Sequence, residues 1–301
     1  MSTRTCSVFI IGCGDIGCRV ARLWEARGAA VGATARRESA RVRLNGIGVA
    51  TCYADLDVPA SLLGLPVGGD IVYYFAPPPA TGTTDPRMQA FVAAAALGPR
   101  PARIVYISTT GVYGDCNGAW VTEDTPVNPR SERGQRRLDA ETAVREYGRR
   151  HALPVLCLRV SGIYSHDRLP IKALRERRPV LDESQSGFSN HIHADDLARI
   201  CVAAAEHGRA DAVYNVSDGH PGTLAGYYNR VADALHLPRP PVIPRERAGE
   251  VLGAAMQTYL GESRRISNAR MLRELQVSLR YPDLAAGLAA VSARSAATEP
   301  A

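Results

Sequence analysis

The apolar run Ser7-Val8-Phe9-Ile10-Ile11 leads directly into Gly12-Cys13-Gly14-Asp15-Ile16-Gly17, a G-x-G-x-x-G pattern placed between a strand and a helix. In that setting Gly12 permits a tight turn, Gly14 lets a pyrophosphate approach the backbone, and Gly17 brings the helix close to the strand. Phosphate oxygens would sit on the free N–H groups of the helix N-terminus. Gly12, Gly14, Asp15, Ile16 and Gly17 are therefore candidate cofactor contacts. The surroundings support this: Asp15 to Arg27 reads as a helix with Ile16, Val20 and Leu23 on one face, stopped by Gly28, and Ala30 to Ala35 reads as a second strand.

The end of that second strand bears on which dinucleotide is held. An NAD site commonly places Asp or Glu there to accept from the ribose 2′-hydroxyl, about 20 residues past the glycines. Here the strand ends Thr34-Ala35-Arg36-Arg37. Two guanidinium groups can grip a 2′-phosphate through forked, charge-assisted bonds. Arg36 and Arg37 thus favour NADP over NAD, the alternative being a solvated basic loop.

Strands and helices keep alternating after this unit. Val49 to Tyr53, Ile71 to Phe75, Arg103 to Ile107 and Val155 to Arg159 read as strands, and Asp85 to Ala96 and Ser131 to His151 as helices. Short, nearly all-apolar strands separated by helices imply a parallel sheet covered on both faces. The expected fold class is α/β, a doubly wound parallel sheet of Rossmann type with a smaller, mostly helical C-terminal lobe. Residues 1–165 would form the NAD(P)-binding core and 166–301 the substrate lobe, with 190–217 returning to the sheet. The helix from Asp195 to Glu206 and the strand Val213-Tyr214-Asn215 make that return, and residues from Ala296 onward read as a loose tail. Ligands bind such sheets at the carboxyl ends of the strands. The loops after Ile11, Ala35, Phe75, Ile107 and Arg159 should then line one cleft.

Charge and cysteine usage remove other classes. The net charge is +6, yet of 36 Lys and Arg side chains only Lys172 is a lysine, and the arginines are scattered without a basic block. No nucleic-acid surface is expected. The seven cysteines contain no C-x-x-C pair, so neither a metal site nor a disulfide framework is expected. Cys6, Cys52 and Cys157 fall in strand-like runs and read as small buried hydrophobes. No run of eighteen apolar residues and no signal peptide is present, which points away from a membrane and toward the cytoplasm.

Ser108-Thr109-Thr110-Gly111-Val112-Tyr113-Gly114, Leu158-Arg159-Val160-Ser161-Gly162-Ile163-Tyr164, Asn190-His191-Ile192-His193-Ala194-Asp195-Asp196-Leu197-Ala198 and Val213-Tyr214-Asn215-Val216 stand in that order. Together with the glycine turn they resemble the extended short-chain dehydrogenase/reductases of the NAD-dependent epimerase/dehydratase family over roughly residues 7 to 217. Arg265-Ile266-Ser267-Asn268 and Tyr281-Pro282 are similar to an atypical, YeeZ-like subgroup. The resemblance implies a hydroxyl at Thr109 that orients substrate, and a cofactor contact at Ser108 beside it. It also implies an adenine-side contact at Asp55, a cofactor loop at Ala76 and Pro77 stiffened by the prolines through Pro79, and a possible homodimer through the long helix.

The family's catalytic Tyr-x-x-x-Lys pair is missing. Its positions fall on Arg133 and Arg137. Arg137 could hydrogen-bond ribose hydroxyls, but Arg133 cannot shuttle a proton because guanidinium stays protonated. Tyr113 and Tyr164, just past two strands, are expected at the cleft mouth as alternative proton donors, their pKa lowered by neighbouring arginines. His191 and His193 titrate in a useful range, although a histidine before a helix also serves as a cap, and Asp195 reads as a capping carboxylate. Arg159, Arg168, Arg264 and Arg265 are candidates for an anionic substrate. The expectation is an oxidoreductase or epimerase acting on a small-molecule carbonyl or sugar-like substrate. Its rival is a non-catalytic NADP-binding redox sensor or partner-docking protein.

Overall fold

The computed structural model describes residues 5–253, 256 and 260–298. Its centre is a sheet of seven strands: β1 (Ser7–Ile11), β2 (Ala30–Ala35), β3 (Ala50–Tyr53), β4 (Ile71–Tyr74), β5 (Arg103–Thr109), β6 (Val155–Val160) and β7 (Val213–Val216). They lie in the order β7-β6-β5-β4-β1-β2-β3, all parallel. The order reverses between β1 and β4, which puts the glycine turn at the switch point where ligands of open α/β sheets bind.

Apolar residues alternate between the two faces of the sheet, and each face is covered. On one side Ile10, Val31, Tyr73, Val105 and Leu158 pack against helices α1 (Asp15–Glu25), α2 (Glu38–Asn45) and, further along, Ala194–His207. On the other side Phe9, Val72, Tyr74, Tyr106 and Cys157 meet α3 (Pro86–Ala95) and α4 (Glu132–Arg150). The helices start where the sequence supplies caps: Asp85 accepts from the N–H groups of Arg87 and Met88, and Ser131 accepts from Gly134. The helix Ala194–His207 is α5. It is capped by the Nδ1 of His193 and not by Asp195, a correction considered with the site below.

The C-terminal part is less helical than its composition suggests. The helices Leu224–Ala234 and Leu284–Thr298 enclose an apolar cluster with Tyr164, Leu169 and Leu174. Around them run four two-stranded pairs: Gly162–Tyr164 with His191–His193, Phe188–Ser189 with Gly222–Thr223, Trp120–Val121 with Arg265–Ile266, and Val180–Leu181 with Val242–Ile243. Strands of two or three residues are too short to show a period of two in the sequence. The tail expected from Ala296 is helical to Thr298, and residues 299–301 lie outside the described residues. No helix among the described residues is long and apolar enough to cross a membrane.

Candidate functional site

The glycine turn has the shape its sequence demands. Gly12 has φ +82°, and a Cβ there would lie 2.5 Å from the backbone nitrogen of Ala76, so the loop after β4 closes directly onto the turn. A side chain at Gly12 is excluded twice, by conformation and by space. Gly14 is different: a Cβ built on it meets nothing within 4 Å. The open space lies at the N-terminus of α1, where unpaired N–H groups and the helix dipole favour an anion. A dinucleotide pyrophosphate fits that opening. At Gly17 a Cβ would come within 3.0 Å of the Cys13 sulfur, so this glycine accommodates a side chain of the turn itself.

At the edge of β2, Arg36 is half exposed and stands 3.7 Å from Asp55 and 3.6 Å from Asp57. Arg87 grips Asp57 with two bonds of 2.6 and 2.7 Å and donates to the carbonyl of Pro77 at 3.0 Å. A chain of charges therefore joins the loops after β2, β3 and β4. The sequence shows Arg36 and Arg37, but not that two carboxylates flank Arg36. Arg37 is exposed and opens α2 as its N-terminal flanking residue.

Past the ends of β5 and β6 lies a cavity of about 680 Å³, bordered by Thr109, Ser161, Asn190, Glu262, Arg136 and Arg264 among others. Three buried polar atoms on its lining residues have no hydrogen-bond partner: Ser161 Oγ, Arg136 Nε and Glu262 Oε1. Leaving a buried polar atom unpaired costs about 1–3 kcal/mol. The other oxygen of Glu262 is held by Arg264 Nη1 at 2.7 Å, and that guanidinium also donates to the Gly114 carbonyl. Thr109 Oγ1 accepts from the N–H of Gly111 at 3.2 Å at the end of β5.

Asn190 builds one wall of the cavity. Its amide donates to the Arg264 carbonyl at 2.9 Å and its carbonyl accepts from the Ile266 N–H at 2.8 Å. The Arg265-Ile266-Ser267-Asn268 segment is tied further by Ser217 Oγ to the Ile266 carbonyl and by Asn268 to the Ser217 carbonyl. Asp196 does the same for the last motif, accepting from the N–H groups of Arg280 and Tyr281 at 2.8 Å each. The tail motifs of the sequence are thus the places where the C-terminal part is pinned to the sheet.

Several expected roles are relocated. Tyr113 is not at the cleft mouth. It is 1% exposed, and its hydroxyl donates to Asn215 Oδ1 at 2.8 Å and receives a bond from Arg159 at 2.9 Å. Burial pushes its pKa up despite that arginine, which reverses the expected lowering. Tyr164 is equally buried, donates to the Asp283 carbonyl at 3.2 Å, and is also shifted upward by burial and by nearby carboxylates. Neither phenol faces the cavity as a proton donor. Arg159 is spent on Glu141 inside the protein, and Ser108, 3% exposed, donates to the same carboxylate. Arg137 donates to the carbonyl of Ile107 at 2.9 Å and approaches the Tyr106 hydroxyl. Arg168 pairs with Asp15 at 3.3 Å, and Arg265 lies over the rings of Trp120 and Phe188. Asp195 pairs with Arg19, leaving the cap of α5 to His193. Glu262 and Asn190 escaped the sequence reading as site residues, which singled out their neighbours His191, His193, Arg264 and Arg265 instead. Among the described residues no group of three or more His, Cys, Asp or Glu side chains is placed to hold a metal.

A glycine turn at the switch point of a seven-stranded parallel sheet, with a polar cavity beyond the next strand ends, defines a dinucleotide-binding α/β protein of Rossmann type. The model of the NAD dependent epimerase/dehydratase family matches residues 8–217, and the chain belongs to that family. Protein YeeZ of Escherichia coli K12 is 27% identical over 192 residues, 62% of each chain. A dTDP-glucose 4,6-dehydratase of Streptomyces griseus is 30% identical over 206 residues, 64% of this chain and 58% of its own. The matched regions span between 32% and 62% of the length of the curated relatives. A functionally unknown conserved protein from Silicibacter pomeroyi is similar in structure over 97% of this chain and 99% of its own, with TM-score 0.81 and 28% identity. MoeE5, solved in complex with UDP-glucose and NAD, shares the fold with TM-score 0.74 and 21% identity over 96% of this chain and 99% of its own.

Proposed function

We propose that this protein is an NADP-preferring oxidoreductase or epimerase of the epimerase/dehydratase family, acting on a small polar carbonyl or sugar-like substrate. One observation carries the reading. The opening at Gly14 shares the carboxyl edge of the sheet with a cavity bordered by the polar side chains of Thr109, Ser161, Asn190, Glu262 and Arg264. NADP, when bound, supplies the hydride chemistry. The chain's own residues hold and orient. Arg36 and Arg37 would face the 2′-phosphate end, Asp55 and the Ala76-Pro77 loop would border the adenosine side, and Arg137 would have to turn from the Ile107 carbonyl to hold ribose hydroxyls. Thr109 orients the substrate oxygen.

Proton transfer needs a group other than Tyr113 or Tyr164. Glu262 fits this role best: it is a carboxylate lining the cavity, and Arg264 fixes one of its oxygens. It would take the proton from a substrate hydroxyl as that carbon is oxidised, and return it in the reverse direction. A cytoplasmic setting is part of this proposal. A homodimer through α4 belongs to the same proposal.

The burial of both tyrosines also favours a second reading, a non-catalytic NADP-binding sensor. A screen of sugar-like and simple carbonyl substrates with NADPH, followed by absorbance at the nicotinamide band, separates the two. Turnover that falls in Glu262→Gln supports the enzyme. NADPH binding with no turnover of any carbonyl supports the sensor.

A further inference from the structure

Cys13 sits inside the glycine turn, between Gly12 and Gly14, and is 6% exposed. Its sulfur lies over Gly17, 3.0 Å from where a Cβ would be. Cys18, in the first turns of α1, is half-buried, and its thiol points back at the Cys13 carbonyl at 3.9 Å. Cys18 borders an open cleft of about 750 Å³ that also contains Arg19, Arg22, Arg43, Arg199 and Asp15. Arg43, from α2, donates to the Cys13 carbonyl at 3.2 Å. Cys18 thus borders the open cleft, and its thiol lies directly against the backbone of the buried Cys13.

The electrostatics match this division. The hydrogen bond from Cys13, helped by Arg43 and Arg22 and opposed by burial and Asp15, draws the Cys18 pKa down to about 6. The Cys13 thiol is pushed up by the same hydrogen bond and by burial, with Glu25 adding to the shift. At neutral pH the exposed sulfur is the nucleophile and the buried one keeps its proton.

We propose that Cys18 and Cys13 form a peroxide-sensitive dithiol site that controls the dinucleotide-binding turn. The inference rests on the dinucleotide reading only for its consequence, not for its chemistry. The Cys18 thiolate attacks one oxygen of a hydroperoxide, the O–O bond breaks, and the leaving hydroxide takes a proton to form water, leaving Cys18 as a sulfenic acid. Cys13 then attacks that sulfur, its proton leaves with the departing hydroxyl as a second water, and a Cys13–Cys18 disulfide remains. The two sulfurs together give up the two electrons that reduce the peroxide. A disulfide holds its sulfurs at about 2.05 Å, closer than any thiol hydrogen bond. Cys13 must therefore move off Gly17, which shifts the backbone of residues 12–14 away from the form that opens at Gly14.

The test uses the full chain. Protein is titrated with hydrogen peroxide, alkylated under denaturing conditions, cleaved before Asp15 with an aspartate-specific protease and read by mass spectrometry. A linked pair of peptides containing Cys13 and Cys18, reversed by dithiothreitol, is the expected product, and fragment ions separate Cys13 from Cys6. Cys13→Ser should stop at a sulfenic acid on Cys18 that dimedone traps, and Cys18→Ser should yield neither product. Thiols at 13 and 18 that survive peroxide while another cysteine pairs or oxidises would overturn the proposal. NADPH affinity of the oxidised protein, measured calorimetrically, should be at least tenfold weaker than that of the reduced protein, and Cys18→Ser should show no change with peroxide. Equal affinities would remove the control function. If the reduced protein binds no dinucleotide, the cofactor reading fails, whereas the peptide map still decides the chemistry.

Discussion

Arg159 and Glu141 meet fork to fork inside the protein: Nη2 stands 2.6 Å from Oε1 and Nε 3.2 Å from Oε2, with both side chains more than nine-tenths buried. The pair joins β6 to α4, and through Ser108 and Tyr113 it reaches the end of β5 and, by Asn215, β7. The strand ends that carry Thr109 and Ser161 are thus fixed from below by one connected polar cluster.

Breaking such a pair from one side leaves a buried charge uncompensated, which typically costs 3–5 kcal/mol. Glu141→Gln should therefore lower the urea midpoint by about 3 kcal/mol equivalent or more. The double variant Glu141→Leu with Arg159→Met should recover most of that loss, because apolar replacements remove both desolvation costs. A double variant as unstable as the single one would show that the cluster, and not the pair, sets the stability.

Asp218 and His191 pull stability in opposite directions over the same pH range. Burial raises the Asp218 carboxyl to about 6, since one of its oxygens has no partner, with His220 and Asp283 as the charged neighbours. Burial lowers His191 to about 4. Between pH 4 and 6 the folded state holds Asp218's proton more tightly than the unfolded chain does, so stability from this group falls as pH rises. For His191 the unfolded chain binds the proton more tightly, so stability rises with pH up to about 6.5. The wild-type curve should be comparatively flat. Asp218→Asn keeps the acceptor for the His220 N–H and removes the falling part, so its stability should climb from pH 4 to 6.5 and exceed wild type above pH 7 by about 2–3 kcal/mol. Thermal unfolding at pH 4, 5.5 and 7 checks this, and parallel curves for the two proteins would contradict it.

Much of this was legible in the chain, and the boundary is physical. The glycine turn, β2 and the ends of α4 are local signals: a turn glycine, an apolar run, a serine cap. The direction of a side chain after a strand is not local. Tyr113 and Tyr164 follow β5 and β6 in sequence, yet Tyr113 turns inward because Arg159 and Asn215, from two other strands, offer it partners. Asp57 beside Arg36, and Glu262 in the cavity, are brought there by the sheet order and by Asn190, at separations no spacing rule covers. Even the cap of α5 was ambiguous, since His193 and Asp195 both stand where a cap belongs.

The proposed preference for NADP depends on Arg36 in competition with its two carboxylates. Arg36→Ala should weaken NADPH about tenfold and leave NADH nearly unchanged, the loss being at the low end for a charge-assisted bond because the group is half exposed. Asp57→Asn should strengthen NADPH slightly. Calorimetric titrations of both variants decide it, and an equal loss for both dinucleotides in Arg36→Ala would assign this arginine to structure.

Glu262→Gln keeps shape and polarity while removing the exchangeable proton. With a turned-over substrate in hand, kcat should fall at least a hundredfold, as for loss of a general acid or base, while KM stays within a few fold. An unchanged kcat would place the proton elsewhere.

The most direct test of the account is the pair Gly14→Val and wild type, titrated calorimetrically with NADPH. A Cβ at Gly14 meets nothing within 4 Å, so the variant should still fold, with its melting temperature lowered only by the poorer cap of α1. Its NADPH binding should be lost by at least a hundredfold, because the valine stands where the pyrophosphate approaches the backbone. A wild type that binds NADPH and a Gly14→Val that binds it equally well would contradict the assignment of the turn. A wild type that binds no dinucleotide would contradict the function built on it.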